Sequence, residues 1–515
     1  MKLQKETDMR YNPVPDHEIE NEVARMDSRA LIRHVCCPNF LKTKDPAAEY
    51  GAVFFHSDTR ENLKRRIAQY RDLCGRMPVV AGDLENGAAY IKGYPEFPSL
   101  FAIGKGSEEA IRTVGSIAAA AGRDAGFNWT FAPCVDIACC PDNPIVGIRA
   151  GGDTADSSIR TGRAFLQGAQ GGGIAATLKH FPGDGFTGAD QHLTTVPNPL
   201  PLDEWERLSG RVFRTLIDEG AMSVMPGHIS LPAFDPSGLP ATLSKRLLTE
   251  LLKVKNGFQG IIVSDAVNMG GFAGCMNFYD ACTTFLEAGG DCLLFAPSTE
   301  RFLDEMERRI ESGKLSPATL RNRAARMLAF HRDLEAMQKL PVPQISLPEQ
   351  ETLAAKLAQN AITVVRDRRN LLPVTPSAGM RICHLIVANN YTGAKNMYDA
   401  LSEGLKQFGS VTELVDCGPD VMGAHAANGD FDLIICSVGN QSLYGTGTAK
   451  LCGPLERNMM GGWMRFGIPV IFIAHYNRFL LQEFDPAIDT LINTCGSIPA
   501  TVPALLKKIF KQEAC

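Results

Sequence analysis

The chain lacks any run of lysines and arginines that would track a phosphate backbone: 52 basic residues stand against 57 acidic ones, a formal charge of −5. Nucleic acid is therefore not an expected partner. No stretch approaches the ~20 apolar residues a helix needs to cross a bilayer, so no membrane partner is expected either. Residues 1–16 mix charged and polar groups and lack the apolar core of about 7–15 residues that a secretory signal requires. A cytoplasmic location follows as the expectation. Fifteen cysteines, among them the neighbours Cys36-Cys37 and Cys139-Cys140, show no paired Cys-x-x-Cys spacing, which argues against a zinc site and for reduced thiols.

What is present is an ordinary globular composition, 45% apolar and 21% charged over 515 residues. At about 150 residues per domain, two to four domains are expected. The first two thirds alternate short apolar runs (77–81, 128–133, 173–179, 222–225, 260–264 and 291–296) with longer segments of helical spacing (108–122, 154–168, 202–219 and 244–254). Parallel strands joined by crossover helices are the consequence, in a barrel or a doubly wound sheet. After a charged helix at 317–337 comes KLPVPQISLPEQ, residues 339–350, whose three prolines mark a linker. Beyond it a helix leads into a strand over 351–365, and apolar runs at 382–388, 433–438 and 470–474 predict a second α/β domain.

Two segments carry the chemistry. LKHFPGDGFTGADQHLTTVP, residues 178–197, crowds Lys179, His180, Asp184, Asp190 and His192 behind an apolar strand, and its proline and glycines exclude a regular helix. These groups sit on a loop at a strand's C-terminal edge, where parallel α/β sheets hold ligands. In GIIVSDAVNM, residues 260–269, a buried strand ends at Ser264-Asp265. Asp265 is placed equally to cap the next helix and to attack an electrophilic carbon. The glycine-rich GNQSLYGTGTAK, 439–450, lacks the Gly-Lys-Ser/Thr ending of a phosphate loop and reads as a turn. His228 follows a strand end and receives no role.

These motifs resemble glycoside hydrolase family 3, and within it the NagZ-type β-N-acetylhexosaminidases. The family's KHFPGHG followed by Asp-x-His is matched by Lys179 to Gly185 and then Asp190-Gln191-His192, and its Ser-Asp nucleophile motif by Ser264-Asp265 with Met269. NWTFAPCVDI (128–137) is similar to a family strand and loop, the segment Gly147-Ile148-Arg149 to its sugar-contacting arginine, and VAGDLENG (80–87) to its early Asp-Gln-Glu-Gly-Gly strand end. Three departures stand out: Asn86 replaces a glycine, Ala88 and Ile91 stand where the hexosaminidases carry arginine, and Asp184 replaces a histidine.

The resemblance implies a TIM-like (β/α)8 barrel over 1–338, a linker at 339–350 and an αβα sandwich over 351–515. It implies a retaining hydrolase with Asp265 as nucleophile, an Asp190–His192 acid/base pair, and Asp83, Arg149, Lys179 and His180 binding sugar. The substrate would be a carbohydrate with terminal β-linked N-acetylglucosamine, from muropeptide or chitin-type fragments in cell-wall recycling. No metal or other cofactor is needed. Retention demands a nucleophile on one sugar face and a group that first gives and then takes a proton; a histidine, with an ordinary pKa near ~6.5, can do this beside an orienting carboxylate. Asp184 and the missing arginines leave a β-glucosidase or β-xylosidase as the alternative. A neutral histidine also admits phosphate, so an N-acetylglucosaminide phosphorylase is another, and a catalytically silent carbohydrate-binding protein is the third.

Overall fold

The computed structural model describes residues 10–40, 48–441, 444–445, 447–451, 461–485 and 487–511. The apolar runs of the first two thirds become strands buried on both faces, which is why they show no alternation. β3 (Val80–Gly82), β4 (Trp129–Thr130), β5 (Ala175–Phe181), β7 (Ser223–Pro226) and β9 (Ile261–Ile262) pair in parallel, with β2 (Val53–Phe54) ahead of β3. β1 (Cys36–Cys37) pairs in parallel with β10 (Leu293–Leu294). Single parallel bridges, Asn39 to Phe54 and Val263 to Cys292, join these two sets, so eight strands close a ring. β6 (Val196–Pro197) and β8 (Ile229–Ser230) form a separate small pair. The interior is filled by Phe54, Trp129, Phe131, Met225 and Ile261, among others, and the indole of Trp129 is satisfied there, since its Nε1 donates to Thr177 Oγ1 at 2.9 Å.

The crossover helices carry their own start and stop signals. Ser107 caps Glu108–Ala125 and Gly126 ends it in the left-handed conformation. This helix packs on Ala155–Gly171 at unusually close range. A Cβ on Gly168 would lie 2.0 Å from the Arg112 carbonyl oxygen, and one on Gly115 2.4 Å from that of Phe165, so glycine is what lets the two backbones touch. The helix predicted over 202–219 is instead two, Leu202–Arg207 and Ser209–Asp218, broken at Leu208 with φ −102° and ψ −101°. The predicted 244–254 segment is a widened, π-type helix, Arg246–Lys255.

The compact units do not divide the chain at one point. The first comprises Met1–Pro95, Ser107–Cys140 and Ala150–Ser346; the second comprises Glu96–Gly106, Pro141–Arg149 and Leu347–Cys515. Two short segments expected in the barrel domain thus belong to the second unit. Its first long helix starts at Leu347, inside the expected linker, because a proline in the first helical turn, here Pro348, loses no hydrogen bond.

The second unit is a layered α/β structure. β12 (Arg381–Ala388), β13 (Ser410–Val415), β14 (Leu433–Gly439), β15 (Val470–Ala474) and β16 (Thr490–Asn493) are parallel in the order β13-β12-β14-β15-β16, and β11 (Thr363–Asp367) runs antiparallel at the β16 edge. Of the predicted turn 439–450, Gly439 ends β14 while residues 442, 443 and 446 lie outside the described residues. Among the described residues no helix is long and apolar enough to cross a membrane.

Two expectations follow for stability. Gly168→Ala should force the helices apart and cost roughly 2 kcal/mol, read as a lower denaturant midpoint with an unchanged slope. His384 is fully buried between the hydroxyls of Ser402 (2.7 Å) and Ser437 (2.8 Å), and burial pushes its pKa down from 6.5 to about 3. Its neutral form is favoured by folding, so its contribution is present above pH 6.5 and is lost as pH falls from there toward 3. The unfolding midpoint of the second unit should fall across that window, and His384→Gln should make the fall shallower.

Candidate active site

The barrel unit collects its ionisable groups where its strands end. At the end of β5, the adjacent residues Lys179 and His180 serve opposite walls, because a register shift between Lys179 and Phe181 re-aims the side chains there. Lys179, 3% exposed, places Nζ 3.1 Å from Asp83 Oδ1 and 2.6 Å from Glu85 Oε1 on the turn after β3. His180 places Nδ1 2.7 Å from Asp136 Oδ2, and its Nε2 lies 3.9 Å from Asp265 Oδ2 on the turn after β9.

Asp136 is the buried anchor of this wall. Its carboxylate accepts from the His180 backbone N–H (3.1 Å), the Asp184 backbone N–H (2.8 Å) and the Cys134 thiol (3.3 Å), besides the His180 ring. Burial pushes its pKa up, but His180 and these donors outweigh burial and keep the carboxyl below its ordinary value. The His180 nitrogen facing an acceptor at 2.7 Å carries a proton, which leaves Nε2 turned toward Asp265. The ligand atoms of Cys134, Asp136 and His180 lie within 4.8 Å of one another, yet they are hydrogen-bonded among themselves, which reads as a proton-sharing network rather than a cradle for an ion.

Asp265 is 13% exposed. Its backbone N–H donates to the Pro226 carbonyl at 3.1 Å and its Oδ1 accepts from the Ala266 N–H at 2.7 Å. Burial raises its pKa; the imidazoles of His180 and His228, the Ala266 N–H and the imidazole of His192 together lower it more, leaving the carboxyl below its ordinary range. His228, fully buried, has Nε2 3.1 Å from the Ala266 carbonyl and Nδ1 3.0 Å from the Thr242 hydroxyl. Burial lowers its pKa, and the two contacts fit a ring with Nε2 donating and Nδ1 accepting.

The loop after β5 supplies the remaining pair. His192 Nδ1 stands 2.8 Å from Asp190 Oδ1, with the His192 side chain 23% exposed and that of Asp190 buried. The same Oδ1 accepts from the His192 backbone N–H at 2.9 Å. Asp190 therefore orients the imidazole through Nδ1. Asp184, 3% exposed, accepts from the Gly185 N–H at 2.6 Å and from Gln191 Nε2 at 3.3 Å. It is thus spent on the loop's own architecture. On the β10-β1-β2 sector of the same strand-end face lies a cavity of about 470 Å³ lined by Asn39, His56, Asn268, Phe295, Ser298 and Thr299, with others.

Six of the seven residues singled out in the sequence, Asp83, Lys179, His180, Asp190, His192 and Asp265, are thus linked by contacts or electrostatics at one strand-end face. The seventh, Arg149, falls in the second compact unit, and its guanidinium lies 5.6 Å from the ring centroid of Tyr444. Sequence reasoning passed over Asp136, Glu85 and Gln191 and left His228 without a role. Asp136, three residues beyond the strand run 128–133, and Glu85, the glutamate of the 80–87 strand end, carried usable signals; Gln191 and His228 have none short of the fold.

Removing Asp136 tests how far this wall depends on one carboxylate. Asp136→Ala strands two backbone N–H groups and an imidazole N–H, and the expected loss of stability is about 3 kcal/mol or more, read from equilibrium unfolding. Asp136→Asn, which keeps an acceptor, should lose less.

Comparison with known proteins agrees with this geometry. The model of the glycosyl hydrolase family 3 N-terminal domain matches residues 49–330. A Cellulomonas fimi protein named beta-N-acetylglucosaminidase/beta-glucosidase is 27% identical over 92% of this chain and 89% of its own length. Among solved structures, one titled beta-glucoside phosphorylase bound to 2FGlc is similar with TM-score 0.85 and 23% identity, over 97% of this chain and 96% of that one. A family 3 beta-N-acetylglucosaminidase from Paenibacillus sp. str. FPU-7 is similar with TM-score 0.81 and 23% identity, over 93% and 96%. The chain belongs to glycosyl hydrolase family 3, with its TIM-like barrel and second α/β sandwich domain, and is a glycosidase by that membership.

Proposed function

We propose that this chain is a retaining β-N-acetylhexosaminidase that removes terminal β-linked N-acetylglucosamine from muropeptide or chitin-type fragments, in the cytoplasmic recycling of cell wall. The observation that carries the reading is the pairing of Asp265, on the turn after β9, with His192, whose imidazole is oriented by Asp190 and whose backbone carbonyl accepts at 2.7 Å from Gly270, on the segment that follows Asp265. The first attacks; the second moves the proton.

In the first step an Asp265 carboxylate oxygen bonds to the anomeric carbon while the bond to the leaving oxygen breaks, and His192 Nε2 gives that oxygen its proton. In the second, neutral His192 takes a proton from water as the water oxygen bonds to the anomeric carbon and Asp265 departs. Two inversions give net retention. Asp190 stabilises the imidazolium that precedes the first step and re-forms in the second. Lys179, held by Asp83 and Glu85, and His180, held by Asp136, present donors to sugar hydroxyls. Arg149 keeps the sugar contact that the family resemblance assigns to it.

The Cellulomonas relative's double name makes the sugar the point to test. Asp184, which would favour a glucosidase, is occupied by its own loop and so weighs little. Nitrophenyl N-acetylglucosaminide should be cleaved well ahead of the glucoside; preference for the glucoside would reject the substrate. A neutral histidine tolerates incoming phosphate, and assay in phosphate buffer separates free hexosamine, the expected product, from a sugar 1-phosphate.

The roles have their own signature. Asp265→Ala should lower turnover by roughly a thousandfold or more. His192→Ala should lower kcat/KM by about 10²–10⁴-fold for alkyl and sugar aglycones that need protonation, and barely at all for a dinitrophenyl glycoside. A uniform loss across aglycones would remove His192 from the acid role.

A further inference from the structure

Between the two members of the acid/base pair stands a residue whose side chain faces the other way. We propose that Gln191 is a strut that holds the Asp190–His192 loop against the strand bearing Asp265, a positioning residue for the reaction. The inference rests on the reading of Asp190 and His192 as the acid/base pair.

Gln191 is 1% exposed, and a buried amide is tolerated only when both of its ends are bonded. Its Nε2 donates to Asp184 Oδ2 at 3.3 Å, and its Oε1 accepts from the backbone N–H of His228 at 2.9 Å. Those partners lie on different walls, one on the loop after β5 and the other on the turn after β7. The backbone adds a third attachment: Gly270 N–H donates to the His192 carbonyl at 2.7 Å, and Gly271 N–H to that of Gln191 at 3.2 Å. Both glycines follow Asp265 on the same turn, so the nucleophile's own segment carries the loop.

The contact is flush because three neighbours lack a side chain. A Cβ on Gly227 would fall 2.8 Å from Gln191 Oε1, one on Gly271 2.7 Å from the Gln191 carbonyl oxygen, and one on Gly270 2.3 Å from that of Leu193. Within the loop, a separate set of bonds converges on Asp190, from the His192, Leu193 and Thr194 backbone N–H groups at 2.9, 3.0 and 3.2 Å. These hold the pair's internal geometry. Loss of the strut therefore frees the pair to move as a unit away from Asp265 without taking the aspartate from the histidine.

That separation is what the experiment reads. Gln191→Met keeps the volume and deletes both hydrogen bonds; Gly271→Ala pushes on the loop from the other side. Each should lower kcat for alkyl or sugar N-acetylglucosaminides by roughly tenfold, leave the dinitrophenyl glycoside almost unaffected, and leave the pH optimum where it was. Amide hydrogen exchange at His228, Gly270 and Gly271, whose N–H groups donate to the loop, should rise about tenfold in Gln191→Met while the barrel strands stay protected. In the unsubstituted protein these three amides should exchange as slowly as the strands, which decides the matter even if a variant does not fold. Fast exchange there, or a Gln191→Met rate loss equal for all leaving groups, overturns the proposal. His192→Ala is run beside them: if it shows the leaving-group pattern and Gln191→Met matches the parent, the strut fails alone; if His192→Ala lacks the pattern, the acid/base reading fails, and exchange alone judges the strut.

Discussion

Charge compensation at the barrel mouth is the constraint on which the rest depends. Carboxylates of Asp83, Glu85, Asp136, Asp190 and Asp265 converge on one lysine and a few imidazoles, in a region where Lys179, Asp136 and Asp190 are almost wholly out of water. Buried like charges raise one another's pKa until one takes a proton. Here each is met by a partner: Lys179 between Asp83 and Glu85, His180 between Asp136 and Asp265, and His192 on Asp190. The adjacency of Lys179 and His180 at one strand end makes this possible, since two neighbouring residues serve walls that are far apart in sequence.

The same arrangement produces division of labour among identical side chains. Asp136 is saturated by donors and anchors, Asp184 is consumed by its own loop, and Asp265 keeps one oxygen committed to the Ala266 N–H while the other looks toward His180. Chemistry is set by what each carboxylate has left to give. Backbone donors and buried rings supply the preorganisation, so little rearrangement is required when a charge develops.

What could be read in advance follows the same physics. β5, with a long apolar run and a dense polar loop behind it, was plain in the sequence, as were the Ser264-Asp265 and Asp190-Gln191-His192 motifs. β1 and β2 escaped notice because Cys36–Cys37 and Val53–Phe54 are two residues each and exist as strands only through closure of the ring. The half-exposed edge strand β13 and the short β16 likewise carry little pattern of their own. Leu208 gave no warning of a helix break, having neither proline nor glycine beside it. Asp136 meets its histidine across 44 residues, and Gln191 meets His228 across 37, so neither role is encoded locally. The interruption of the barrel sequence by 96–106 and 141–149, which belong to the second unit, is a property of three-dimensional packing alone.

The claim that Asp265 forms a bond to the sugar is tested most directly by trapping that bond. With a 5-fluoro-N-acetylglucosaminyl fluoride, whose ring fluorine slows the second step more than the first, intact-mass spectrometry should show one added glycosyl group, and peptide mapping should place it on Asp265. An active enzyme that accumulates no adduct, or one that carries the sugar on another residue, would contradict the mechanism.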